Sequence, residues 1–250
     1  MSAGLQAIRG VLLDSFGTLL ELQAPVDQLC AQLDGRFGVQ VSAEQARVAL
    51  SAEITYYRDH MASARDAESL AALRLRCAEV LRDALPAQPG LCSAEPERLA
   101  EVLMGSLRFR VYPEVPETLA LLRAAGLRLV VVSNWDVSLA EVLARCGLAA
   151  MLDGVVSSAV VGAAKPDPRP FAIGLQLAGV AAAQAVHVGD IAAEDVAGAL
   201  AAGVRPVLLR RDGETLVARD EETLAARGGE VPAAVTVISS LSELPALLGI

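Results

Sequence analysis

The stretch Val11-Leu12-Leu13-Asp14-Ser15-Phe16-Gly17-Thr18-Leu19 decides how this chain is read. Three consecutive large apolar residues read as a strand buried on both faces, the habit of a parallel sheet covered by helices. They run straight into a carboxylate, then into a Gly-Thr pair suited to a tight turn. A lone Asp after a strand can simply cap that turn, but a buried charge is costly unless it is partnered. The same pattern returns downstream: Leu129-Val130-Val131-Val132 ends at Ser133-Asn134, and Ala185-Val186-His187-Val188 ends at Gly189-Asp190. In an open parallel sheet, ligands bind outside the carboxyl ends of the strands. Asp14, Ser133 and Asp190 are therefore expected at one crevice.

From about Gln23 to Phe109 the pattern is helical, with no convincing strand. Val26, Leu29, Leu33 and Phe37 form one apolar stripe; Ala46, Leu50, Ile54, Tyr57 and Met61 form a second, opened by a Ser42/Gln45 capping box. Leu70, Leu73, Cys77, Val80 and Ala84 make a third, and Leu99, Val102, Leu103 and Leu107 a fourth. Four such helices make an inserted bundle. From Tyr112 onward strands and helices alternate, with glycines 126, 147, 179 and 203 closing the helices. Asp195 to Ala202 reads as a helix, Arg211 to Glu230 as a polar loop, Val235 to Ile238 as an edge strand, and Ser242 to Leu248 as a closing helix. The expected architecture is α/β: a three-layer, Rossmann-like, doubly wound parallel sheet formed by residues 1–22 and 110–250, with an all-helical cap at 23–109.

Composition narrows the setting. The 250 residues are 54% hydrophobic but only 3% aromatic, so Ala, Leu and Val must fill the core. A net charge of -9 argues against nucleic acid or an anionic membrane as partner. Phe171 to Gly189 carry no formal charge, but Gly174, Gln176, Gly179, Gln184 and His187 break them into helix, turn and strand. The four cysteines, 30, 77, 92 and 146, show no metal or disulfide spacing and read as buried thiols in a reducing cytoplasm. Nothing at residues 1–6 resembles a secretory signal. A small-molecule substrate is the expected partner; no feature fixes an oligomeric state.

Lys165 is the only lysine among 21 basic residues, set in Gly162-Ala163-Ala164-Lys165-Pro166-Asp167-Pro168. Lysine supplies a compact, mobile charge where arginine's planar fork would be too large or rigid. Asp190 and Asp195 are close enough in sequence for a folded-back loop to aim both at the end of the first strand. Three carboxylates against one ammonium repel one another unless a divalent cation lies among them, and Mg²⁺, with its preference for oxygen ligands and phosphates, suits that best. His60 and His187 offer no His-rich metal site, and Ser133 has no evident His partner for a triad. Tyr56, Tyr57 and Arg58 read as a packed and solvated helix face.

Together these segments resemble the haloacid dehalogenase-like superfamily. The match runs through Asp14 to Leu19, Ser133-Asn134, Lys165-Pro166-Asp167-Pro168 and Gly189-Asp190 to Asp195, in that order, with the helical insertion in the place of the family's mobile cap. The resemblance implies that Asp14 is a nucleophile forming a covalent aspartyl intermediate. It implies that Ser133 hydrogen-bonds the transferring oxygens, that Lys165 steadies the nucleophile and the developing charge, and that Asn134 touches the substrate. Mg²⁺ would be held by Asp14, the backbone carbonyl of Phe16 and Asp190, with Asp195 acting through water or orienting the loop.

One position departs from the family's phosphatases, which carry a second Asp two residues after the nucleophile to protonate the leaving group. Here it is Phe16, and such acid-base help is typically worth about 10²- to 10⁴-fold. The expected substrate is therefore a small phosphorylated metabolite with a good leaving group. A 2-haloacid dehalogenase is the alternative, since those enzymes also lack that Asp; against it stand Phe171 where they usually have Tyr, and Asp190 where they have Ser. A weakly active binding protein is the third reading.

Overall fold

The computed structural model describes residues 7–211 and 231–250. Residues 212–230, nearly all of the expected polar loop, lie outside them. In chain order the elements are β1 (Gly10–Leu13), β2 (Leu20–Leu22), α1 (Pro25–Phe37), α2 (Ala43–His60), α3 (Ala67–Asp83), α4 (Pro89–Cys92), α5 (Pro96–Ser106) and β3 (Phe109–Val111). Then come α6 (Val115–Ala124), β4 (Arg128–Ser133), α7 (Leu139–Arg145), β5 (Gly154–Ser157), α8 (Ser158–Val161), α9 (Pro168–Ala178) and β6 (Ala185–Gly189). A π turn (Ala192–Val196), α10 (Ala197–Ala201), β7 (Arg205–Leu209), β8 (Thr236–Ile238) and α11 (Leu244–Leu248) complete the described chain.

Six strands form one sheet in the order β5-β4-β1-β6-β7-β8, every neighbouring pair parallel. The opening strand is central because both of its faces are apolar. Val11 and Leu13 turn to a core shared with α6, α7 and α11, while Leu12 turns to a core shared with α9 and α10. Strand β4 alternates the same way, Leu129 and Val131 to one side and Val130 and Val132 to the other. The result is the three-layer α/β fold that the apolar runs imply. Sequence order reverses beside β1, which opens a crevice at the carboxyl ends of β1, β4 and β6.

Helices α1 to α5 pack around a separate core that includes Leu29, Leu33, Leu50, Leu73, Leu81, Leu99 and Leu103. The second stripe is divided: Ala46 and Leu50 are buried in that core, whereas Ile54, Tyr57 and Met61 line a cavity facing the sheet. Two features escape the periodicity. A short helix at Pro89–Cys92 joins the bundle, and β2 pairs antiparallel with β3, Leu22 opposite Phe109 and Glu21 opposite Arg110. Three residues are too few to show an alternation, and the partners are far apart in sequence. This ribbon joins the points at which the chain leaves and re-enters the sheet-bearing part, and an Arg110–Glu21 ion pair of 2.6 Å crosses it. The cysteines differ from expectation as well: Cys77 is buried, but Cys30 and Cys146 are half-buried and Cys92 is exposed.

Candidate active site

The sheet delivers the site residues by its own hydrogen bonding. Asp14 follows β1 and its backbone N–H donates to Val188 O at 2.8 Å, which fixes the carboxylate at the mouth of the crevice. Ser133 ends β4 next door, and its hydroxyl donates to Asp14 Oδ1 at 2.8 Å. Lys165 lies in the loop between α8 and α9. Its Nζ donates to Asp14 Oδ1 and to Asp195 Oδ1, both at 2.6 Å, and it is 4% exposed. The lone lysine thus bridges two of the three expected carboxylates. Oxygens of Asp14, Asp190 and Asp195 lie within 4.8 Å of one another.

Asp195 sits within the π turn, wound more widely than the α-helix expected from Asp195 to Ala202, and such turns recur at functional sites. Its carboxylate is fully engaged. Oδ1 meets Lys165 and His187 Nε2, the latter at 2.8 Å, and Oδ2 accepts from Ile191 N at 2.9 Å. This occupancy suits a residue that holds the lysine and the loop. Glycine is required at two neighbouring places: a Cβ on Gly189 would collide with the Asp195 carboxyl, and one on Gly17, whose φ is +82°, with that of Asp190. Arg211 braces the other side of the loop after Asp14. It donates to Gly17 O at 3.1 Å and Thr18 O at 2.7 Å, pairs with Glu114, and lies 3.6 Å over the Tyr112 ring.

Asn134 lines the cavity but spends its amide on the lysine loop. It accepts from Lys165 N at 2.7 Å and donates to Lys165 O at 3.1 Å and Glu194 Oε2 at 2.7 Å. Phe16 also lines the cavity, where its ring meets Phe109 edge-on at 6.4 Å; Phe109 in turn packs against Trp135 at 5.2 Å. An aromatic row stands where a second carboxylate would supply a proton.

Burial and charge pull the site in opposite directions. Burial raises the Asp14 carboxyl above its usual range, against the opposing pull of Lys165 and Ser133. Burial also works against ionisation of Asp195, but there Lys165 and His187 win and hold the carboxyl low. Desolvation would favour a neutral Lys165, yet Asp14, Asp195 and Glu194 keep it charged well above its ordinary pKa. Glu194 is raised, chiefly by burial. One ammonium faces more carboxylates than it can neutralise, so the donor set fits a hard divalent cation.

An aspartate fixed by a strand end, a bridging lysine and a flanking acidic cluster thus meet from different loops of one parallel sheet. The haloacid dehalogenase-like hydrolase family model matches residues 8–203. The chain belongs to this family of hydrolases. Among its relatives, haloacid dehalogenase-like hydrolase domain-containing protein 3 of Danio rerio is 29% identical over 251 residues, covering 96% of each chain. Phosphoserine phosphatase of Thermus thermophilus is 40% identical over 137 residues, 53% of each. The crystal structure of a 2-haloacid dehalogenase from Pseudomonas syringae pv. Tomato covers 97% of this chain and 98% of its own, with 26% identity and a TM-score of 0.61. His187, Glu194 and Arg211 are the site residues that sequence reading misses. Their partners come from other loops, and nothing in a single strand or turn announces them.

Proposed function

We propose that this hydrolase carries out Mg²⁺-dependent hydrolysis of a small phosphorylated metabolite with a good leaving group, through a covalent intermediate on Asp14. The observation that carries the reading is the Lys165 bridge, 2.6 Å to Asp14 and 2.6 Å to Asp195, beside the Asp190 carboxylate. The Asp14 carboxylate attacks phosphorus; the bond to the leaving oxygen breaks, and that oxygen keeps the electron pair. Ser133 and Lys165 donate to the transferring oxygens as charge spreads over them. Water then attacks the aspartyl phosphate, releasing inorganic phosphate and restoring the carboxylate. With Phe16 in place of an acid, the first step favours groups that leave without a proton, such as acyl phosphates and phosphoanhydrides.

Mg²⁺ would be held by Asp14, the Phe16 carbonyl and Asp190, with Asp195 supporting the set through water or through its hold on the loop. Bound there, it would offset the negative charge of the phosphoryl group and the carboxylates. The helices of residues 23–109 act as a cap that closes the cavity over Asp14 and sets substrate choice. Free cysteines fit a reducing, cytoplasmic setting; among the described residues no helix is long and apolar enough to cross a membrane.

Phe16 and the Pseudomonas syringae likeness favour one further reading, haloacid dehalogenation through the same aspartate. Phosphate and halide release are compared with and without a chelator, in wild type and Asp14→Asn. Phosphate release that needs the metal and Asp14 is expected. Halide release indifferent to chelator would replace phosphatase with dehalogenase, and neither product across a broad panel would favour a binding role.

A further inference from the structure

The cavity above Asp14, about 620 Å³, has two unlike walls. The sheet side carries most of the acidic and hydroxyl groups, Asp14, Ser133, Asp136 and Glu194, beside the rings of Phe16 and Trp135. The side formed by residues 23–109 presents an apolar stretch that includes Ile54, Leu73, Leu103 and Met104, and it also carries Arg58, Arg74 and Arg108. Into that apolar stretch α2 places Glu53, the one carboxyl these residues contribute to the cavity, only 3% exposed. One helical turn on, Tyr57 has already spent its hydroxyl on Asp136, at 2.9 Å across the gap between the two walls. Among the described residues, the hydrogen bond to the Glu53 carboxyl comes from the thiol of Cys77, a weak donor. Burial pushes its carboxyl up to about 7. An apolar side chain there would avoid that cost, since a buried carboxyl without a strong donor is destabilising.

We infer that Glu53 is a specificity residue, accepting a hydrogen bond from a hydroxyl or ammonium on the leaving-group end of the substrate. The assignment rests on the phosphatase reading of Asp14, which places the phosphate on the opposite wall. The substrate class is then a monophosphate with an apolar body and a donor at its far end. A plain alkyl or aryl phosphate fills the same space but leaves Glu53 with the Cys77 thiol as its donor. Discrimination follows from that weakly met carboxyl, and a buried group left without its partner typically loses about 1 to 3 kcal/mol, roughly 5- to 150-fold.

The test uses meta and para series of ethylphenyl phosphates, in which the ethyl group is compared with hydroxymethyl and with aminomethyl. Wild type is expected to favour at least one donor-bearing member by about 10-fold or more in kcat/KM, through KM, with kcat little changed. Glu53→Leu should flatten the series while remaining folded, because it removes a buried carboxyl. Glu53→Gln keeps an acceptor but no charge, so it should retain a hydroxymethyl preference and lose an aminomethyl one. Calorimetric binding of the same series to Asp14→Asn, with and without Glu53→Leu, reads the assignment separately from turnover. If nothing is hydrolysed but donor-dependent binding persists and vanishes with Glu53→Leu, the phosphatase reading fails and the Glu53 assignment stands. No donor preference in wild type, a preference that survives Glu53→Leu, or no binding by any member overturns it.

Discussion

The two walls of the cavity handle buried charge in opposite ways. On the sheet side Lys165 bridges Asp14 and Asp195, and Asp195 is held further by His187 and a backbone N–H. On the helical side Glu53 is equally buried, and among the described residues its hydrogen bond comes from a thiol. A hydrogen-bonded network of this kind suits chemistry that must find its groups already in place. A carboxyl with a weak partner suits recognition, because the ligand completes it.

The comparison breaks most readily at Lys165. Lys165→Met should leave Asp14 and Asp195 buried without their cation, lowering stability by about 3 to 5 kcal/mol in urea unfolding and removing turnover. Glu53 should show the opposite sign. Its carboxyl is raised from 4.5 to about 7, so between those values the folded state keeps a proton that the unfolded state has lost. Stability should therefore fall as pH rises from 4.5 to about 7, by up to about 3 kcal/mol, and this part of the slope should disappear in Glu53→Gln. Unfolding midpoints across that window, with Cys77, Tyr57 and Asp136 left intact around the site, provide the check.

Two smaller effects sharpen the contrast. Phe16→Asp places an acid within the aromatic row, and should raise turnover of alkyl phosphates by about 10²-fold while barely changing acyl phosphates. An unchanged rate would mean the proton comes from elsewhere. Arg211→Ala frees the carbonyls of Gly17 and Thr18 behind Asp14. A loss of about 10-fold in kcat with KM unchanged is expected, since displacement of the loop misplaces the carboxylate without touching the helical wall.

The sheet side was largely legible in the sequence, and the reason is chemical. A strand buried on both faces is a continuous apolar run, so Asp14, Ser133 and Asp190 stand out where the runs stop. Lys165 stands out through composition, as a lysine in a chain that otherwise uses arginine. The β2–β3 ribbon was not legible, because its strands are three residues long and the whole helical bundle separates Leu22 from Phe109 along the chain. His187 hides for a different reason. Within β6 it looks like any buried strand residue, and only the π turn brings Asp195 back to its Nε2. Glu53 lies on the apolar stripe of α2, three residues after Leu50 and four before Tyr57, so a carboxyl interrupting that stripe was the available signal; a stripe read only for its apolar members passes over it.

The central claim is that Asp14 accepts a phosphoryl group. The direct measurement is a rapid acid quench of enzyme turning over ³²P-labelled acetyl phosphate with Mg²⁺, followed by peptide mapping. The account predicts acid-stable label on the peptide containing Asp14, absent after chelation and absent in Asp14→Asn. Label on no aspartate, together with an ester formed on Asp14 from 2-chloropropionate in the presence of chelator, would contradict it.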